Sequence, residues 1–321
     1  MRTPAALMLL AVTLAGCGPK PEPGATLMSW AYPQTKDPAP PPPATSDPVH
    51  VPGSALAFTR AQIMDDANPV DWFPDEHPAP PPVVAHQPPG GPTPCAECHL
   101  YDGHGFLAAA DLAGLSPAYI IQQVQEFRAG RRQSAVHDRP DSLEMIKAAQ
   151  KVTDPDLAQA AAYFAALPRK PFVRVVETDA APVTKAISYG WLELVPNGGT
   201  EPIKGRIIEV SEDMPALYLA DPHVGIVDYV PPGAVSRGEA LVKRGGQGGQ
   251  PCAACHGPEL KGAGDVPPLA GRAATYLARA LWDIKTGARS GPAVALMQAP
   301  AKGLSEAEIT DVVAYLASRR P

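Results

Sequence analysis

Cys95-Ala96-Glu97-Cys98-His99 and Cys252-Ala253-Ala254-Cys255-His256 decide how this chain is read. Two cysteines separated by two residues can form disulfides in an exported protein, act as a redox dithiol, or supply half of a zinc site. A histidine directly after the second cysteine narrows the choice, because C-x-x-C-H is the pattern of covalent haem attachment. Thiols three positions apart reach the two vinyl groups on one edge of a porphyrin, and the adjacent imidazole then lies beneath the iron. Of the five cysteines in the chain, the two motifs use four. The expectation is two covalently bound haem c groups, held by Cys95, Cys98, Cys252 and Cys255, with His99 and His256 as axial ligands to iron.

The likeness extends beyond the motifs. An offset of 157 lays Leu112-Ala113-Gly114 on Leu269-Ala270-Gly271, Tyr119 on Tyr276, Gly130 on Gly287 and Arg132 on Arg289. The offset then drops to 152, pairing Met145 with Met297, Asp156-Leu157 with Glu308-Ile309 and Tyr163 with Tyr315. A repeat of this length indicates two copies of one domain. Both copies show helical periodicity, at Tyr119, Ile120, Gln123, Val124 and Phe127 and at Tyr276, Leu277, Ala280, Leu281 and Ile284. Thr153-Asp154-Pro155-Asp156 and Ser305-Glu306-Ala307-Glu308 each open a last helix with a cap and an acidic first turn.

The fifth cysteine belongs to the N-terminus. Met1–Cys17 has one early cation, Arg2, and an apolar run from Ala5 to Ala15. That run is too short for a spanning helix, which needs roughly 20 apolar residues, and fits a signal peptide. Leu14-Ala15-Gly16-Cys17 resembles the bacterial lipoprotein signal, which implies acylation of Cys17 and a periplasmic, lipid-anchored protein. Gly18, rather than Asp, after the cysteine points to the outer membrane by analogy with lipoprotein sorting.

Proline accounts for 41 of 321 residues and crowds the stretch from Pro19 to Pro94. Such sequence forms extended, semi-rigid spacers rather than cores. Trp30, Trp72 and Phe73 are too apolar for a fully solvated tether, so part of it is expected to lie along the globular region. Between the copies, Val173–Glu177, Trp191–Val195 and Arg206–Val210 read as short strands with a turn at Asn197-Gly198-Gly199. No catalytic constellation is visible there, and His223 has no obvious partner. The expected organisation is a leader over 1–16, a partly ordered Pro-rich tether over 17–93, haem domains over 94–170 and 232–321, and a β-containing linker over 171–231.

The early C-x-x-C-H, the helix that follows, a methionine some 40 to 50 residues later and a closing helix with Ala-Tyr-Phe-Ala or Ala-Tyr-Leu-Ala resemble the class I c-type cytochromes. The resemblance covers roughly Pro94–Pro168 and Pro232–Pro321. It implies a mainly α fold of two tandem cytochrome domains, with Met145 and Met297 as the sixth iron ligands. A methionine is more often a core filler, but these two occupy matched places in the repeat. His104 and His137 compete with Met145, and neither has a counterpart in the second copy. Arg237–Val242 corresponds to the family's opening helix, whereas the first copy has Pro-rich sequence there. Pro267-Pro268-Leu269 corresponds to the family's proline carbonyl that accepts the proximal imidazole N–H. Asp111 aligns with Pro268, so a weaker support for His99 is expected.

The net charge of −6 is uneven: Pro232–Pro321 has eleven Lys/Arg against seven Asp/Glu, while 18–93 and 171–231 are each −5. A basic second domain could steer an acidic redox partner, or could serve to neutralise haem propionates. Nucleic acid is no partner for an exported acidic chain. The resemblance implies a non-enzymatic carrier of single electrons between protein partners: a dehydrogenase, an oxidase or another cytochrome. Filling both axial positions suits outer-sphere transfer. The alternative is a two-haem enzyme of the peroxidase or thiosulfate-oxidising type, which needs an open or unusual axial position.

Overall fold

Proline-rich sequence from residue 45 to 93 is short of regular structure, yet it packs as a wall of the first copy. The computed structural model describes residues 28–35, 43, 45–106, 108–187, 190–247 and 249–321; the leader and Cys17 lie outside them. Strand β1 (Pro48–Val49) pairs antiparallel with β2 (Phe58–Thr59), which runs into helix α1 (Arg60–Ile63) through a Thr59/Gln62 capping box. Trp72 is buried and donates from Nε1 to the Leu219 carbonyl at 2.7 Å. Helix α2 (Pro82–Ala85) sinks Val83, Val84 and Ala85 into a core shared with Ala96, Ile120 and Phe164. Residues expected to form a spacer therefore stand where the first copy lacks an opening helix.

The first copy is built from α3 (Cys95–His99), α4 (Pro117–Arg128), α5 (Pro140–Lys151) and α6 (Asp154–Ala166). Ser116 caps α4 by accepting from Tyr119 N, and Thr153 caps α6 by accepting from Asp156 N. Proline sits in the first turn of α4, α5 and α6, where its missing N–H costs no hydrogen bond.

The segment between the copies holds β3 (Val173–Glu177), β4 (Ala180–Pro182), β5 (Thr184–Ile187), β6 (Trp191–Leu194), β7 (Thr200–Pro202), β8 (Ile208–Ser211), helix α7 (Met214–Leu217) and β9 (Ile226–Val230). β9 is central to a three-stranded sheet, parallel to β3 and antiparallel to β8, while β4 pairs with β7 and β5 with β6. Alternation gives the sheet two working faces. Ile208, Val210 and Val227 pack with Ala181 and Ile203 on one. On the other, Ile226 joins Phe106 and Ala108 of the first copy, and Val230 enters the core of the second. The expected linker is thus packed against both copies. His223, read as unpartnered, reaches Glu76 through Nε2 at 3.1 Å and lies over the Phe73 ring.

The second copy comprises α8 (Ala234–Arg244), α9 (Ala253–His256), α10 (Ala274–Thr286), α11 (Ala295–Lys302) and α12 (Glu306–Ala317). α8 crosses α12 at Gly238, where a Cβ would stand 1.9 Å from the Asp311 carbonyl oxygen; only glycine allows that approach. Met28, Ala31 and Tyr32 from the chain's start are buried in this core. The Tyr32 hydroxyl donates to Asp283 Oδ1 at 2.6 Å, and the same oxygen accepts from Ala135 N of the first copy at 2.8 Å.

Candidate functional site

Each C-x-x-C-H motif forms one short helix that ends directly after its histidine. The next residue has positive φ in both copies, Leu100 at 57° and Gly257 at 82°. That turn sends the chain back along the histidine. Gly105 N donates to His99 O at 3.1 Å, and Gly262 N to His256 O at 2.9 Å. Eleven residues after each histidine the loop presents a carbonyl: His99 Nδ1 donates to Ala110 O and His256 Nδ1 to Pro267 O, both at 2.8 Å. These bonds place the proton on Nδ1 and leave the Nε2 lone pair for a metal. The expected weakness at Asp111 is not found, because the acceptor is the preceding residue's backbone carbonyl, which every amino acid has.

Burial holds both imidazoles below the ordinary histidine pKa, and so neutral. His256 Nε2 is buried without a hydrogen-bond partner among the described residues. A buried imidazole nitrogen left this way is costly unless something coordinates it. All four motif cysteines are free thiols, with Cys98 and Cys255 exposed and Cys95 and Cys252 half-buried.

Met145 and Met297 lie at matched places. Met145 on α5 packs with Val124 of α4, Ala149 and Leu157; Met297 on α11 packs with Leu281 and Ile284 of α10, Val294 and Ala301. Val124 and Leu281 correspond in the repeat, as do Ala149 and Ala301. The competing histidines are placed differently. His104 Nδ1 sits 2.7 Å from Asp102 Oδ2 with its ring against Phe172, and His137 is exposed.

The copies meet about a local two-fold axis. Arg132 and Arg289, equivalent in the repeat, form an antiparallel bridge. Gln133 N donates to Ala288 O at 3.0 Å, and its image, Ser290 N, donates to Arg131 O at 2.8 Å. Side chains follow the same symmetry. Arg289 Nη2 reaches the Tyr119 hydroxyl at 3.2 Å, and Arg132 hydrogen-bonds Tyr276. Both arginines also reach Gln123 Oε1. Neither is ion-paired with a carboxylate among the described residues, and Arg289 Nε is buried without a partner. Buried cations call for anions. Haem propionates are anions of that kind, so the donor set fits haem at both its metal and its carboxylate ends. Sequence reasoning matched Arg132 with Arg289 but gave them no role. The signal available was an arginine kept in both copies behind a glycine.

Comparison with known proteins follows the same line. The cytochrome c family model matches residues 235–320. Cytochrome c-554(548) of Halomonas halodenitrificans is 41% identical over 69 residues, covering 21% of this chain and 83% of that protein. Two relatives match over longer stretches, more than two thirds of the chain each. The thiosulfate dehydrogenase electron acceptor of Stutzerimonas stutzeri is 26% identical over 230 residues (70% of this chain, 78% of that one). Cytochrome c4 of Pseudomonas aeruginosa is 26% identical over 228 residues (69% and 82%). With both motif histidines held by a backbone carbonyl and a relative 41% identical over 83% of its own length, the chain belongs to the cytochrome c family, whose domain carries covalently bound haem c.

Proposed function

We propose that the chain is a dihaem carrier in which Cys95, Cys98 and His99 hold one haem and Cys252, Cys255 and His256 the other. Met145 and Met297 are the opposite axial ligands. It is an electron-transfer protein and not an enzyme, exchanging electrons with protein redox partners. The observation that carries the reading is the duplicated His–carbonyl pair, two 2.8 Å bonds at the same spacing on either side of a two-fold junction. Each bound haem supplies a one-electron iron couple. The chain's own residues fix the imidazole tautomer, keep water from the proximal side and present buried guanidinium groups to the propionates. A dehydrogenase is the class of donor suggested by the relative that accepts electrons from one.

Export and lipid anchoring at Cys17, with the protein in the periplasm and at the outer membrane, complete the proposal. No helix among the described residues is long and apolar enough to cross a membrane, so attachment would rest on the acyl chains. Acid–acetone extraction followed by intact mass tests the haem count: two covalent haems are expected, and one or none rejects the reading. Met145→Ala and Met297→Ala should each remove the far-red sulfur-to-iron absorption of one haem and lower its potential. Cys17→Ala should accumulate unprocessed and without acyl mass.

A further inference from the structure

Helix α11 carries Met297 and differs in its outward face from α5, which carries Met145. Leu296 is 88% exposed, against 37–41% for Leu56, Met64, Leu143 and Leu194, the other large exposed apolar residues described. Pro292, Ala295 and Ala299 are exposed beside it at helical spacing, making an apolar stripe that none of the described residues covers. On α5 the exposed residues include Glu144, Lys147, Gln150 and Lys151, with Lys147 paired to Glu144 at 2.7 Å.

The surroundings of α11 are basic. Gly287–Leu304 contains no Asp or Glu. Lys302 ends the helix, and Lys285 Nζ bonds the carbonyls of Lys302 and Leu304 at 2.9 and 2.8 Å. Pro232–Pro321 is +4 by residue count, while the spans 18–93 and 171–231 are each −5.

We propose that the α11 face, centred on Leu296 and rimmed by Lys285 and Lys302, is the docking surface for a protein redox partner with an apolar centre and an acidic rim. The proposal rests on the electron-carrier reading and names where exchange takes place. The carboxylate-free span, with Lys302 in it and Lys285 beside it, attracts the acidic rim, and the leucine is the desolvated anchor.

Stopped-flow oxidation of the reduced full-length holoprotein tests this, with plant plastocyanin, an acidic blue-copper protein, as the protein probe and hexacyanoferrate(III) as the small one. Leu296→Ser should lower the second-order rate with plastocyanin about tenfold, and Leu143→Ser on α5 should leave it within about twofold. Lys302→Gln should flatten its dependence on ionic strength. Rates with hexacyanoferrate(III) and the potentials of both haems should stay unchanged for the two leucine variants. Equal effects of the two leucine substitutions, or none from Leu296→Ser, would overturn the docking site. A wild type oxidised by hexacyanoferrate(III) but inert to plastocyanin overturns the partner class, and one inert to both overturns the carrier reading as well.

Discussion

In the second copy, α8 lies against α12 across Gly238, and the opening helix is continuous with the domain it serves. In the first copy the same place is taken by α2, four residues delivered by a proline-rich segment, with Val83, Val84 and Ala85 buried against α6. The residue after the histidine is Gly257 in one and Leu100 in the other, although both need positive φ, which leaves Leu100 in a region that L-residues seldom occupy. Helix α4 is capped by its own Ser116, whereas α10 begins after Ala273, which has no side chain to cap it. The β-segment supplies what is missing: Asp228 accepts from Ala274 N at 3.1 Å, and Glu209 accepts from Thr275 N and its hydroxyl at 3.0 and 2.6 Å. Around the histidines, by contrast, the two copies share both distance and spacing. What the copies share is the support of the motif histidine; the scaffold around it is rebuilt from unrelated sequence.

That difference breaks most sharply at Gly238. Gly238→Val drives a side chain into the Asp311 backbone, and separating α8 from α12 should cost about 3 kcal/mol or more. Val84→Ala in the first copy removes two methyl groups from a small core and should cost about 1–2 kcal/mol. Urea titration followed by far-ultraviolet circular dichroism measures both. Equal losses would mean that α2 holds α6 as firmly as α8 holds α12.

The carboxyl pair supports a second test. Glu209 and Asp228 are cross-strand partners on β8 and β9, pointing to the same face. Burial, and then the neighbouring Glu209, raise Asp228 well above the ordinary aspartate pKa, so the folded protein keeps a proton there. An unfolded aspartate releases it near pH 4. Above that pH, unfolding releases a proton, and stability falls as pH rises, by up to about 1.4 kcal/mol per unit until folded Asp228 itself ionises. Asp228→Asn keeps an acceptor for Ala274 N and a donor for Glu209 but has nothing to titrate. Its stability should be flatter with pH than wild type over that window, and higher at neutral pH. Parallel pH profiles for the two proteins would show that Asp228 is ionised when folded.

How much of this the sequence revealed depends on the range of each interaction. The motifs and the caps at Thr153 and Ser305 are local and legible within a few residues, and the repeat follows from laying one motif on the other. Trp72 marked part of the stretch from 45 to 93 as too apolar for a tether, and it is buried; the rest of that wall was obscured because proline content describes a window, while Val84 acts singly. The acid pair left a trace, since Ile208-Glu209-Val210 and Val227-Asp228-Tyr229 each set a carboxylate inside an apolar strand. Only strand register, fixed by the whole sheet, brings the two together. The His99 support was misread for a different reason. The expectation took Pro268 as the acceptor and so looked to Asp111, when the accepting carbonyls are those of Pro267 and Ala110, one residue earlier.

Asp111 therefore sharpens the comparison where the effect is smallest. Its carboxylate lies 3.5 Å from Arg169 and 3.7 Å from Arg272, and its Oδ1 accepts from Ala113 N at 3.0 Å. Arg272 in turn donates to the Asp111 carbonyl and to Pro268 O, both at 2.7 Å, tying the loop behind His99 to the equivalent loop of the second copy. Asp111 is thus a contact between domains and not a support for the imidazole. Asp111→Asn keeps an acceptor for Ala113 N while removing the charge between two arginines, and should cost about 1–2 kcal/mol in urea. The bond from His99 to Ala110 should survive, so the absorption bands of the first haem should not move. Its potential should rise modestly, because a nearby negative charge favours the oxidised iron and has been withdrawn. A spectral change in that haem would show that the side chain at 111 does position His99; an unchanged spectrum with reduced stability would assign Asp111 to the junction between the two domains.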